Sequence, residues 1–228
     1  MSEGAGAGSP GTKRKAPSMK KIAVVAADGR VARKAIKEAV DRGFDVTAFG
    51  RRDENTGDAQ TYVKKDIMDL AKEDLEGFDA VIDAFGAWTP ETLPQHSTTL
   101  EHLCHVLAGT DVRLVVVGGA GSLYLDGTHT AQVQDLDSFP EGFKPLAHAM
   151  GVALDELRSV KDVRWTYVSP AGDFQADGPR TGSYVLAGEE YTADENGVSA
   201  ISYADYAIAL IDEIESGSHI QERISARW

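Results

Sequence analysis

The stretch Lys20-Lys21-Ile22-Ala23-Val24-Val25-Ala26-Ala27-Asp28-Gly29-Arg30-Val31-Ala32 decides the fold. Ile22 to Val25 is a short apolar run of the kind that forms a buried strand, and Ala26 to Gly29 supplies small and turn-forming residues. Val31, Ala35, Ala39 and Val40 then recur at helical spacing until Gly43 stops the pattern, which predicts a helix over 30–42. Val46 to Phe49 begins a second strand, so the segment ending at Arg52 is strand, tight turn, helix, strand.

Outward from there the alternation repeats. Thr61 to Lys64, Ala80 to Ala84, Arg113 to Val117 and Arg164 to Val168 read as four further strands. Helical stretches separate them near Leu70 to Leu75, His96 to Leu107 and Leu146 to Val160. A last helix covers Tyr203 to Glu215, and Gln221 to Ala226 can close the sheet. Successive βαβ units with right-handed crossovers predict an α/β fold: a doubly wound parallel sheet in the order 3-2-1-4-5-6, with helices on both faces. Its binding crevice lies at the carboxyl ends of the strands. Those ends are 26–30, 50–52, 66–68, 85–88, 118–123 and 169–174, most of them rich in Gly or small residues. Such residues admit a ligand to the backbone, and they are also the commonest way to end a strand.

The turn after the first strand has the spacing of a dinucleotide-binding loop, in which glycines let the chain turn sharply and approach a pyrophosphate held by free helix amides. Only Gly29 is glycine; Ala26 and Ala32 hold the outer positions. Ala32 adds one methyl at a helix–strand contact, and Ala26 matters if its position needs a positive φ. Asp28 weighs more, because a carboxylate about 5 Å from a phosphate charge costs on the order of 3 kcal/mol at an effective dielectric of about 20, roughly two orders of magnitude in affinity. Two readings stand. Asp28 caps the helix through the amides of Arg30 or Val31, leaving a working site, or it mimics the phosphate and plugs the site.

Composition sets the bounds. A chain of 228 residues, 42% hydrophobic and 26% charged, suits one globular domain. Residues 1–18, rich in Gly, Ala, Ser and Pro, have no apolar period and read as a disordered leader or tag, leaving 19–228 as a single domain. The run Lys13-Arg14-Lys15 is either a localisation or anion-binding tail or part of a vector-derived leader. The net charge is −13, with +2 on residues 1–18 and −15 on the remainder, so neither a nucleic acid nor a membrane surface is an expected partner. No apolar stretch approaches the roughly 20 residues that span a bilayer, and one cysteine, Cys104, allows no intrachain disulfide. A cytoplasmic protein is expected.

The chain resembles the atypical short-chain dehydrogenase/reductase proteins known as NADH-flavin reductases or NAD(P)H-binding proteins, related to biliverdin reductase B and NmrA-like proteins. The resemblance covers nearly everything after Met19. It rests on Ile22 to Ala32, Asp79 to Ala87, Arg113 to Leu123, Trp165 to Ala171, Arg180 to Tyr184 and Ile201 to Ala207. It implies a Rossmann fold with a small C-terminal substrate part and a nicotinamide cofactor across the strand ends. By resemblance, Ala27, Asp28, Gly29, Arg30 and Val31 hold the pyrophosphate and Arg51 meets the adenosine ribose. Asp66 and Ile67 border the adenine, and Phe85, Gly86 and Ala87 line the nicotinamide half; Gly119, Ser169 and Pro170 are further cofactor-binding positions. Relatives usually read Gly-Ala-Thr-Gly-x-x-Gly at the loop, so the departures are Ala26, Asp28 and Ala32.

Arg51 and Arg52 stand where an NAD-specific protein usually places an acidic residue, and their charge suits a 2′-phosphate, so NADPH is expected over NADH. Equally, they read as a solvated arginine pair. None of the seven tyrosines has lysine four residues on, which argues against alcohol–carbonyl chemistry through a Tyr-x-x-x-Lys pair. Reduction of a free flavin needs few catalytic residues, since the protein has only to position two rings. Ser122 is the polar candidate for catalysis, with Trp88 and Phe174 as stacking surfaces, each of which also reads as packing or turn. His148 reads as an exposed helical residue that could reach the crevice. Glu101, His102 and His105 share a helical face without a second ligand cluster. The expected activity is NADPH-dependent reduction of a flavin-like small molecule. The alternatives are a nonenzymatic NADP-binding sensor or an epimerase-like protein, and an oligomer is open.

Overall fold

The computed structural model describes residues 20–228; the expected leader at 1–18 lies outside them. In chain order the elements are β1 (Lys21–Val25), α1 (Arg30–Asp41), β2 (Asp45–Gly50), β3 (Thr61–Lys64), α2 (Lys72–Leu75), β4 (Ala80–Asp83), α3 (Gln95–Leu107), β5 (Arg113–Val117), α4 (Lys144–Ser159), β6 (Arg164–Pro170), β7 (Asp173–Gln175), β8 (Val185–Ala187), β9 (Ala200–Ser202), α5 (Tyr203–Ser216) and β10 (Glu222–Arg227). Eight strands form one sheet in the order β3-β2-β1-β4-β5-β6-β10-β8. Every neighbouring pair is parallel except β10 with β8. The 3-2-1-4-5-6 order expected from the sequence is therefore present, extended by β10.

Central strands buried on both faces must be apolar throughout, and that is what β1 and β5 carry. Ile22, Val24, Ile82 and Val115 face α1 and α5, together with Ile36, Leu210 and Ile211. Ala23, Val25, Val81, Leu114 and Val116 face α3 and α4, with Leu103, Leu107, Leu154 and Leu157. The alternation puts the two cores back to back on one sheet. Strand order reverses between β1 and β4, where Val25 pairs in register with Asp83, so the crevice opens at these two strand ends.

Three strands were not expected from the sequence. β7 and β9 form a separate parallel pair, and β8 is an antiparallel edge strand. All three have three residues, too few to show a period. The C-terminal segment is tied down by polar contacts. Ser202 caps α5 by accepting from the amide of Asp205. The fully buried Asp205 carboxylate accepts from the Thr181 amide at 3.0 Å, the Thr181 hydroxyl at 2.5 Å, the Gly182 amide at 3.0 Å and Trp228 Nε1 at 2.6 Å. Nearby, the Glu38 carboxylate of α1 accepts from Arg180 at 2.9 Å and from Arg42 at 2.9 Å, and Arg42 continues to Asp212 at 2.5 Å. The segments Arg180–Tyr184 and Ile201–Ala207 thus earn their place in the resemblance as a structural latch.

Burial raises the Asp205 pKa, but the bonds from Thr181, Gly182 and Trp228 outweigh it and hold the carboxyl below its ordinary value. A depressed carboxyl stabilises the fold above the unfolded-state pKa and loses that contribution as pH falls through the folded-state value. Asp205→Ala is expected to lower stability by about 2–4 kcal/mol at neutral pH, through orphaned donors. Denaturant titration at pH 7 and in acid should show the difference from wild type shrinking at the lower pH.

Candidate functional site

The chain leaves β1 through Ala26 in the left-handed region, φ 52°. The Ala27 amide then donates to Phe49 O at 3.0 Å and the Gly29 amide to Ala26 O at 3.2 Å, which closes the turn against β2. Gly29 is the N-cap of α1 with extended backbone, and no side chain caps the helix. A Cβ on Gly29 would find only ordinary contacts, Ala26 O at 3.5 Å being the nearest, so packing alone does not require glycine there. Ala32 is fully buried and accommodated. The first-turn amides of α1 therefore have no side-chain acceptor, the electrostatic property of an uncapped helix start that suits an anion.

Asp28 follows neither of the two readings available from the sequence. It does not cap α1. Its Oδ2 accepts from the Arg51 amide at 3.0 Å, and its Oδ1 lies 3.5 Å from Arg52 Nε. The carboxylate is turned sideways onto the end of β2, with Gly50 beneath it. A Cβ on Gly50 would sit 2.8 Å from Asp28 Oδ2 and 2.6 Å from the Tyr62 hydroxyl, so a side chain there would displace one of these two groups. Tyr62 in turn accepts from the Arg52 amide at 3.0 Å and donates to its carbonyl at 3.1 Å. Arg51 stays 81% exposed, with Asp66 Oδ2 4.0 Å from its Nε. Asp66 itself accepts from the Met68 amide at 3.0 Å and opens a short 3-10 turn. Ile67 corrects the expectation in one respect: its side chain is buried in the core on the α3 face, which leaves only its backbone to border a ligand. Arg30 is held by Asp177 at 2.6 Å and lies over the Tyr203 ring, 5.9 Å from its centroid.

At the other half of the crevice, Phe85 and Gly86 are accessible and Ala87 is buried. His96 on α3 fixes this loop through its Nε2, 3.3 Å from the Ala87 amide and 3.2 Å from its carbonyl. Trp88 projects into solvent, 69% exposed, whereas Phe174 packs on Tyr203 and Tyr206. The glycines after β5 serve packing: a Cβ on Gly118 would lie 2.2 Å from the Tyr167 ring, and one on Gly121 2.5 Å from Ala147. The Tyr167 hydroxyl accepts from the Gly119 amide at 3.3 Å. Ser169 and Pro170 are buried at the end of β6, and the Ser169 hydroxyl has no hydrogen-bond partner among the described residues.

Ser122 does not have the surroundings of a catalytic hydroxyl. It is 5% exposed, and both its hydroxyl, at 3.0 Å, and its carbonyl, at 2.9 Å, accept from Arg223 Nη1. That guanidinium is buried, with Glu189 accepting from its Nη2 and Ser122 from its Nη1. His148 is exposed on α4, and the His102 ring bonds the Leu70 carbonyl.

The residue that sequence reasoning missed is Asp83. It is the last residue of β4, 4% exposed, and accepts one hydrogen bond, from the Phe85 amide at 3.0 Å. Burial pushes its pKa up to about 6, partly offset by that amide. The available signal was one charge ending the apolar run Ala80-Val81-Ile82.

Comparison with known proteins agrees with this geometry. A family profile described as NAD(P)H-binding matches residues 26–214. The chain is 55% identical to a Streptococcus pneumoniae protein described as "a putative NADH-flavin reductase", covering 91% of this chain and 99% of that one with a TM-score of 0.89. It is 35% identical to a "putative epimerase" of Bacteroides thetaiotaomicron, covering 92% and 98% with a TM-score of 0.81. The uncharacterized protein YwnB of Bacillus subtilis is 38% identical over 207 residues, 90% of this chain and 97% of that one. The chain belongs to the NAD(P)H-binding family, with the Rossmann-type sheet and the nicotinamide cofactor class that this implies. No described helix is long and apolar enough to cross a membrane.

Two substitutions test the site's physics without a ligand. A left-handed alanine costs roughly 1–2 kcal/mol, less what glycine loses through unfolded-state entropy, so Ala26→Gly is expected to raise stability by about 0.5–1 kcal/mol in denaturant titration. Asp83 has a raised folded-state pKa, so its ionisation makes the fold less stable as pH climbs from about 4 to about 6 and leaves it so above. Asp83→Asn should match wild type near pH 4 and exceed it by up to about 3 kcal/mol at pH 7–8.

Proposed function

We propose that this protein binds NADPH in preference to NADH across the strand ends and passes hydride to a flavin or similar planar acceptor. The observation that carries the reading is the sideways Asp28, neutralised by Arg52 and the Arg51 amide, which leaves the start of α1 free for a pyrophosphate. A residue that would repel the phosphates is spent on β2. The residues present therefore fit a dinucleotide. The amides of Arg30 and Val31 would hold the pyrophosphate over Gly29, with Ala27 and Asp28 shaping the turn. Arg51, exposed and only loosely paired, would meet the 2′-phosphate with Arg52 beside it. Asp66 and the Ile67 backbone would border the adenine. Phe85, Gly86 and Gly119 would line the nicotinamide half, with the buried Ala87, Ser169 and Pro170 shaping the strand ends beneath it.

Bound NADPH supplies hydride. The chain's own work is to set two flat rings against each other and exclude water, for which the accessible Phe85 and the exposed Trp88 offer surface. The Streptococcus protein's description as a putative NADH-flavin reductase supports this activity, while the arginine pair favours NADPH. An epimerase reading lacks the tyrosine–lysine pair in the sequence. A second reading, a nonenzymatic NADP-binding sensor, is favoured by one observation: the Ser122 hydroxyl is already committed to Arg223. A cytoplasmic location and a small-molecule partner belong to the same proposal.

Calorimetric titration is expected to give micromolar NADPH binding, weaker NADH binding, and a loss of about tenfold or more for NADPH alone in Arg51→Ala. Equal affinities unaffected by that change would overturn the 2′-phosphate assignment. NADPH oxidation on addition of FMN supports the reductase; binding without turnover across flavins and quinones supports the sensor.

A further inference from the structure

Among the described residues, the buried carboxylates on the α5 side of the sheet are all paired. Glu213 meets Arg113 at 2.7 Å, Glu38 meets two arginines and Asp205 meets four donors. Asp83 is different. It has one amide and no cation within ion-pair distance. It also borders a small cavity of about 20 Å³, lined besides by Phe85, His96, Val117, Met150 and Tyr167. That is room for about one water. Asparagine would serve the Phe85 amide equally well at lower cost, so the turn itself does not account for an acid.

Its place in the fold does. Asp83 pairs in register with Val25 of β1 on one side and Val116 of β5 on the other, at the reversal of strand order where a doubly wound sheet binds its ligand. The chain runs directly from Asp83 into Phe85, Gly86 and Ala87, the residues assigned above to the nicotinamide half. A nicotinamide ring changes charge with its redox state: the oxidised ring is a cation and the reduced ring is neutral. A buried carboxylate in such a place interacts with one form and not with the other.

We infer that Asp83 is a charge-state selector for the bound cofactor: when ionised it favours the oxidised nicotinamide over the reduced one, and when protonated it favours neither. This rests on the nicotinamide reading of the crevice. The titratable groups packed around Asp83 are His96 and Cys104 on α3 and Tyr167 on β6, and α4 brings only Met150 and Ala153. Burial lowers the His96 pKa and raises those of Cys104 and Tyr167, which favours the neutral form of each beside Asp83. The 2′-phosphate is common to both redox forms and cancels in their ratio. By reciprocal linkage, the oxidised cofactor lowers the pKa of Asp83 and expels its proton on binding.

The test is equilibrium binding, independent of turnover. Dissociation constants of NADP⁺ and NADPH are measured by calorimetry or fluorescence from pH 5 to pH 8 in wild type and in Asp83→Asn. A unit charge pair at an effective dielectric of about 20 is worth tenfold or more in affinity out to roughly 10 Å. The NADP⁺/NADPH ratio of dissociation constants should therefore fall by about that factor between pH 5 and 8 in wild type and stay flat in Asp83→Asn. A flat wild-type ratio overturns the inference, as does a slope that survives in Asp83→Asn. If the variant fails to fold, wild type still decides by proton count in buffers of different ionisation enthalpy: near pH 6 NADP⁺ binding should release protons that NADPH binding does not, and equal release refutes the idea. Absence of binding by either nucleotide at every pH would sink the nicotinamide reading itself, a result distinct from tight binding with a constant ratio.

Discussion

A single hydrogen bond, from the Arg51 amide to the Asp28 carboxylate, governs how the rest of the crevice is built. The turn after β1 must bring a charged residue close to the start of α1, and the fold resolves the conflict by sending that charge across to β2. Three consequences follow in neighbouring residues. Gly50 lies directly against the Asp28 carboxylate and the Tyr62 hydroxyl, Arg52 is drawn in as a counter-ion, and Tyr62 closes over the Arg52 backbone. Gly29 takes the N-cap position in place of the aspartate, and a glycine cap leaves the helix amides unspent.

The sheet was legible in the sequence because parallel strands covered on both sides must be apolar along their whole length, and β1, β4, β5 and β6 interrupt polar loops as clear runs. β7, β8 and β9 were not, since each has three residues and two of the three contain no buried residue. At the site, positions fixed by backbone spacing were readable, and side-chain directions were not. Asp28 shows this well: cap and plug were both consistent with its place in the chain, and the observed rotation toward β2 depends on a strand 20 or so residues away. The glycines after β5 invited a ligand-based reading, yet Gly118 and Gly121 answer to Tyr167 and Ala147. Ser122 looked available because nothing local announces Arg223, a partner 101 residues distant.

Charge is distributed unequally between the two faces of the sheet. Arg113 and Glu213 are both nearly inaccessible and compensate each other close to the strand starts, which is the arrangement a buried ion pair needs to be tolerated. Asp83 lies at the opposite end without such compensation, and the fold pays for it in pH-dependent stability. The net negative charge of the protein would repel a dinucleotide at long range, so in the proposed reading recognition would rest on short-range features: an open helix start and two neighbouring arginines.

Glu38 binds Arg42 of its own helix and Arg180 of the C-terminal segment at once, and Arg42 reaches on to α5. The helix that would carry the phosphates and the C-terminal segment around Arg180 are thereby tied into one cooperative unit. In native-state hydrogen exchange the amides of α1 and those near Thr181 should open together, with a shared free energy.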